Sequence, residues 1–186
     1  MPGFDGANKA ADVERAKALL KEAGLVNPKW RVVSSNFGAL AKGAEVIATQ
    51  IKAIGVDAQI QLYGADLNEF LRQGAFDLNV NVATLDFDDP AAYVTPWVRT
   101  NGSLNWGKWS ISKIDQLLDE ADRTFDQAKR RQLITDVQRE ILAQLPSVPV
   151  LFSTGPNFWQ KEIRNWPRVY TALSPAYKFE QVWLAQ

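Results

Sequence analysis

Apolar residues along the first half of the chain switch repeatedly between two periods. Val13, Ala16, Leu19, Leu20 and Ala23 recur three and four apart, which predicts a helix over 12–23 with Asp12 as N-cap and Gly24 as stop. Trp30–Ser34, with Val32 and Val33, predicts a short strand. Leu40, Ala44, Ile47, Ile51 and Ile54 mark a second helix before Gly55. Ala58, Ile60 and Leu62 then alternate with Gln59, Gln61 and Tyr63 as a second strand. Asp66 and Glu69 have capping-box spacing and open a short third helix carrying Leu67, Phe70 and Leu71, which Gly74 ends. In the next strand Phe76, Leu78, Val80 and Val82 face one way while Asp77, Asn79 and Asn81 face the other. Helices alternating with strands predict an α/β fold, a mainly parallel sheet flanked by helices and joined by right-handed crossovers. The strand ends near Ser35, Tyr63 and Thr84 then share one edge, the side on which open α/β sheets bind ligands.

The second half is organised differently. Ala91–Trp109 is rich in aromatic, Gly, Asn and Thr residues without a sustained period, which predicts a functional or covering loop. Ile111, Ile114, Leu117, Leu118 and Ala121 mark one further helix. Asp126 caps another, striped by Leu133, Ile134, Val137, Ile141, Leu142 and Leu145 and ended by Pro146. Val148, Val150 and Phe152 suggest a last core strand. From Gly155 to Gln186 prolines and Trp159, Trp166 and Trp183 occur without periodicity, as in an extended segment that packs on something else.

Composition narrows the possible chemistry. With 186 residues, 46% hydrophobic and 23% charged, the chain can build a real core. Lys+Arg and Asp+Glu balance at 21 each, so no basic excess exists to bind a nucleic-acid backbone. The chain has no Cys and no His, which removes thiol nucleophiles, imidazole bases, the Ser-His-Asp arrangement and the commonest zinc sites. The opening residues lack the pattern of a secretory signal, and no apolar run approaches the roughly 20 residues of a membrane-spanning helix.

The chemistry that remains concentrates in LDFDDP at 85–90, directly after the third strand. Asp89 followed by Pro90 is a favoured helix start, so Asp89 is read first as an N-cap. Asp86 precedes that cap and lies closer to the strand end, where its carboxylate could hold an ammonium group by a charge-assisted hydrogen bond. The three acids match no calcium loop and lack its glycine, so no metal is assigned and no cofactor is called for. Trp97, Trp106 and Trp109 gather in the aperiodic stretch near Phe87 and Tyr93, either as a wall for an apolar or sugar face or as anchors of the loop. Asp86 with Asp88 could in principle do acid-base work, and a small α/β enzyme or Mg-dependent receiver-like domain remains an alternative, as does a carbohydrate binder.

Taken in order, AKALLKEAGL at 16–25, IKAIGV at 51–56, GAFD at 74–77, LDFDDP at 85–90, NWGKW at 105–109, DQAKRRQL at 126–133 and LPSVPVL at 145–151 resemble one family. It is that of the extracytoplasmic solute-binding proteins of ABC importers, family 5, the dipeptide, oligopeptide and nickel-binding class. The resemblance implies a periplasmic-binding-protein type II lobe and covers the C-terminal portion of such proteins. Residues 1–154 would form the ligand-binding lobe, and 155–186 would pack on it or cross to the N-terminal lobe. It further implies a small solute such as a peptide, an ABC permease as membrane partner, a periplasmic or surface-anchored location and no reaction on the ligand. Asp86 matches the aspartate that grips a peptide's amino terminus in that family, and Phe87, Asn105, Trp106 and Trp109 are the other expected ligand contacts. Dipeptide binders carry an arginine for the ligand carboxylate after the first strand of this lobe, whereas SSNFGALAKG at 34–43 has none.

Overall fold

The computed structural model describes residues 6–83, 89–150, 160–166 and 179–185. The chain divides into two compact units, Met1–Val82 and Ala83–Gln186.

The first unit holds α1 (Lys9–Glu22), β1 (Lys29–Ser35), α2 (Gly38–Lys52), β2 (Asp57–Tyr63), α3 (Leu67–Gln73) and β3 (Leu78–Val80). The strands form one sheet in the order β2-β1-β3. Both ladders are parallel, pairing Val32 with Ile60 on one side and with Leu78 on the other, as the alternation of helices and strands predicts. This register fixes the faces. Val32 and Ser34 share a face with Ala58, Leu78 and Val80, and α2 lies over it through buried Ala44 and Ala48 and half-buried Ile51. Alanine at these two contact positions, with Gly43 close to Val80, lets the helix backbone approach the sheet. The second connection runs back past β1 to the opposite edge, so right-handed crossovers put α3 on the other face, that of buried Val33.

Local chemistry moves several boundaries. α1 starts at Lys9, not at Asp12: Lys9, Ala10 and Ala11 are good helix formers, and a short 3-10 turn at Gly6–Asn8 leads into them. Asp12 therefore sits in the first turn, where its charge faces the positive end of the helix dipole. α1 does end as expected. Gly24 adopts a left-handed φ of 72°, its N–H bonds the Lys21 carbonyl, and Leu25 N–H reaches Leu20, a Schellman closure. The expected capping box at Asp66 does not form. Asp66 has helical rather than extended backbone angles, and its carboxylate accepts the Gly64 N–H at 3.0 Å, while Glu69 pairs with Arg72.

The second unit holds α4 (Pro90–Val98), α5 (Ser112–Arg123), α6 (Gln127–Gln144) and a short antiparallel pair, β4 (Ile163–Arg164) with β5 (Trp183–Leu184). Ala91, Val98, Ile114, Leu117, Leu118, Ala121, Leu133, Ile134 and Val137 make its core. Most of the expected α5 and α6 stripes are therefore where the periodicity put them. Leu145 is not: it is the C-cap of α6, left-handed at φ 53° and exposed. The first part of the expected loop over 91–109 is helix α4 instead. Its sequence PAAYVTPWV is apolar on every side, so it has no amphipathic period to detect. Val148 and Val150 are exposed and join no ladder among the described residues; Phe152 lies outside them. Pro146 and Pro149 remove the N–H donors that a core strand needs. Within 155–186, Ile163 lies opposite Leu184 and Arg164 opposite Trp183, and Trp183 and Leu184 are exposed.

Close approach of α2 to the sheet gives a direct test. Ala44→Leu should overpack a fully buried contact and destabilise the protein by about 1–3 kcal/mol. Val46→Ser on the exposed side of the same helix should stay within about 0.5 kcal/mol, both read from urea unfolding midpoints.

Candidate functional site

In the first unit, β1 leads forward to α2 on one face of the sheet, whereas the chain enters β3 from α3 on the other. The carboxyl ends of β1 and β3, paired through Ser34 and Val80, thus flank a topological switch point, where open α/β sheets form their ligand crevice. Ser34 is buried there and donates its hydroxyl hydrogen to the Val80 carbonyl at 2.8 Å, tying the two strand ends together. Asn36 N–H bonds the Tyr63 carbonyl at 2.8 Å, which joins β1's exit to β2's. Tyr63 in turn stacks on Phe70 of α3 with ring centroids 4.3 Å apart. Phe37 follows, 71% exposed. Sequence reasoning placed the edge but passed over Ser34 and Phe37, because only the pairing order makes β1 and β3 neighbours.

Asp86, Phe87 and Asp88 lie outside the described residues. Asp89 is described, and it does what an N-cap does: with extended backbone, its carboxylate accepts the Ala91 N–H at 2.9 Å, and Pro90 follows at the first helical position. It also has a partner that the sequence did not reveal. Arg130 of α6 donates to both Asp89 oxygens, at 3.2 and 3.0 Å. The Arg130 hydrogen bond holds the Asp89 carboxyl below its ordinary value, and the same contact raises Arg130. Such a fork on a cap is a positional device, since only one guanidinium orientation satisfies both oxygens.

The other end of α4 is tied as well. Arg99, its C-cap, pairs with Asp119 and Asp122 of α5 at 2.5 and 2.7 Å. The next residue, Thr100, gives its N–H and hydroxyl to the two oxygens of Asp115, at 2.9 and 2.6 Å. A shallow cleft of about 330 Å³ beside α4 is bordered by Asp89, Asp122 and Arg130, whose charges are already matched within the unit. Among the described residues no group of three or more acidic side chains is placed to hold a metal ion.

Asn105, buried, organises the turn after α4. Its amide donates to the carbonyls of Arg99 and Trp109, at 3.0 and 2.8 Å, and its oxygen accepts the Trp109 N–H at 2.9 Å. Gly102 makes that turn possible: a Cβ there would come within 2.5 Å of the Pro96 carbonyl oxygen. Trp106 is half-buried and meets Trp97 edge-on with centroids 5.4 Å apart, and Trp97 packs on the core. Trp109 is 41% exposed and lies against Gly107, whose missing side chain leaves room for its indole. The structure thus brings Asn105, Trp106 and Trp109 into one turn. Asn105 has its polar atoms engaged within that turn, and Trp109 presents the most open ring.

The cap and the ion pair can be separated by substitution. Asp89→Ala should cost about 1–2 kcal/mol through the lost cap, whereas Asp89→Asn, still a good cap, should cost less. Because folding lowers the Asp89 pKa, its contribution is present above the unfolded carboxylate value and is lost as pH falls through the lower, folded one. The gap in melting temperature between the parent protein and Arg130→Met should accordingly narrow as the solution is acidified through that range. Asn105→Ala, which leaves Trp109 N–H and two carbonyls without their partner, should cost on the order of 2 kcal/mol in chemical unfolding.

Comparison with known proteins agrees with this architecture. Residues 1–105 match the model of the bacterial extracellular solute-binding proteins, family 5, middle region. The chain is 23% identical over 179 residues to the periplasmic oligopeptide-binding protein OppA of Escherichia coli, covering 94% of this chain and 32% of that protein. It is 31% identical over 169 residues to a dipeptide-binding protein of Pseudomonas aeruginosa, covering 81% of this chain and 30% of the relative. Among solved structures, OppA of Burkholderia pseudomallei superposes with a TM-score of 0.70 at 22% identity, over 78% of this chain and 30% of that one. The chain therefore spans about a third of the length of these relatives. Its parallel sheet flanked by helices is the fold of the type II periplasmic binding proteins. With the family model matching more than half of the chain, this protein belongs to the bacterial extracellular solute-binding proteins of family 5.

Proposed function

We propose that this chain is the C-terminal lobe of a solute-binding protein that captures a peptide-like solute outside the cytoplasmic membrane and delivers it to an ABC permease. The observation that carries the reading is the family match over residues 1–105, which spans the switch-point crevice between β1 and β3. A second lobe would supply the opposite wall, and closure of the two lobes by hinge motion would enclose the solute. The segment 155–186 would pack on this lobe or cross to the other. Relatives named for oligopeptides and dipeptides support the peptide class, and the periplasmic relative from Escherichia coli supports the location. The enzyme and receiver-like alternatives have no such support, and the similar structure that holds mannohexaose is itself named as an oligopeptide-binding protein.

Asp86 is the proposed anchor of the solute's amino group. Asp89, the nearby acid within the described residues, is engaged by its own helix and by Arg130, so it is not available to a ligand ammonium. Phe87, Trp106 and Trp109 would cover apolar parts of the solute, and Asn105 would act by holding Trp109 in place. Solute recognition of this kind needs binding, enclosure and release, and no bond of the solute is made or broken.

In the complete protein, Asp86→Asn should weaken an amine-bearing peptide at least about tenfold, because a charge-assisted contact becomes a neutral one. Titration calorimetry with a free and an N-acetylated peptide measures this. Equal affinity of parent and variant for the free peptide would remove Asp86 from the site.

A further inference from the structure

We propose that Phe37 is a specificity-determining residue whose ring covers a neutral, apolar side chain of the bound peptide. The inference rests on the solute-binding reading above and adds the chemistry of one part of the solute.

Three observations converge on Phe37. The first is its place. It lies two residues beyond the end of β1, whose Ser34 pairs with Val80 of β3, at the carboxyl edge where open α/β sheets form their ligand crevice. The second is the contrast between its backbone and its ring. The Phe37 N–H donates to Ser35 Oγ at 3.2 Å, and its carbonyl accepts the N–H groups of Leu40 and Ala41 at 2.9 and 3.0 Å. The residue is therefore held at the start of α2, yet the ring stands 71% exposed, and a Cβ built on the neighbouring Gly38 would meet nothing within 4 Å. An aromatic surface already fixed at its backbone loses little freedom when a ligand covers it.

The third observation is the charge of the rim. Residues 34–37, Ser-Ser-Asn-Phe, and 79–82, Asn-Val-Asn-Val, contain no ionisable side chain. Val82, after β3, is also exposed and adds apolar surface. Among the described residues the charges nearest in sequence are engaged, Arg31 with Asp77 at 3.4 Å and Lys42 with Glu45 at 2.7 Å, and Asp86 is in this reading taken up by the solute's amino group. A charged side chain brought to this rim would lose hydration without gaining a counter-charge from it, whereas an apolar one gains burial against Phe37. Selection here is thus by polarity, with the Asn36 amide left to hydrogen-bond neutral polar groups, while the Asn81 oxygen already accepts the Val82 N–H at 2.8 Å.

The test uses the complete protein, titration calorimetry and three tripeptides: Ala-Ala-Ala, Ala-Phe-Ala and Ala-Lys-Ala. The parent should prefer Ala-Phe-Ala. Phe37→Ala should lower that affinity about tenfold while changing Ala-Ala-Ala by less than about twofold, as expected when one apolar contact is removed. Phe37→Glu should shift the preference toward Ala-Lys-Ala, a gain that general damage to the fold would not produce. Binding of all three peptides by the parent without preference, or an equal loss for all three in Phe37→Ala, would overturn the role of Phe37 and leave the solute-binding reading standing. No binding of any peptide by the parent would overturn the peptide class, and the role of Phe37 with it.

Discussion

Two hydrogen-bonded ladders on a single strand govern the first unit. β1 pairs in parallel with β2 on one side and β3 on the other, so Val32, Val33 and Ser34 are wholly buried, whereas β2 at the edge buries only Ala58. Because side chains alternate strictly along a strand, this one register decides which residues face α2 and which face the other way. It also brings the ends of β1 and β3 together, although 46 residues separate the hydroxyl of Ser34 from the carbonyl it binds at Val80. A slip of one residue would turn Val32 and Ala58 outward and uncouple the strand ends, so core and crevice share one cause.

Electrostatics does the corresponding task in the second unit. α4 is apolar on all sides and contains Pro96, so neither amphipathicity nor an unbroken hydrogen-bond ladder sets its position. Arg130 holds its first carboxylate, and Asp115, Asp119 and Asp122 hold the residues at its end. Partly exposed pairs of this kind contribute little to stability individually. Their value here is geometric, because two forks at opposite ends of a nine-residue helix fix both its direction and its rotation.

The sequence was most legible where one physical rule acted alone. The periods of three, four and two located the helices and strands of the first unit, and Asp126 and Asp89 were found as caps because extended backbone before a helix suits their carboxylates. Legibility failed where rules competed. Asp66 had the right spacing for a capping box, but a nearer donor at Gly64 captured its carboxylate. Val148 and Val150 alternate like a strand, but the prolines around them cannot join a ladder. The bond from Arg130 to Asp89 spans 41 residues and leaves no local pattern in the sequence. Phe37 was equally hidden, since an isolated phenylalanine gains meaning only when the strand order shows what lies beside it.

The small residues beneath α2 separate two kinds of sequence freedom. Ala44 and Ala48 set the height of the helix above the sheet, and Phe37 is attached to its first turn through the N–H groups of Leu40 and Ala41. The packing that places Asn36 and Phe37 is thus made by side chains that never reach them, while these two exposed residues contribute almost nothing to that packing. Variation at 36 and 37 can alter what the crevice accepts without disturbing the scaffold, whereas enlargement at 44 or 48 would move every rim residue at once. A family that serves many solutes on one fold needs this separation between the residues that hold a surface and those that define it.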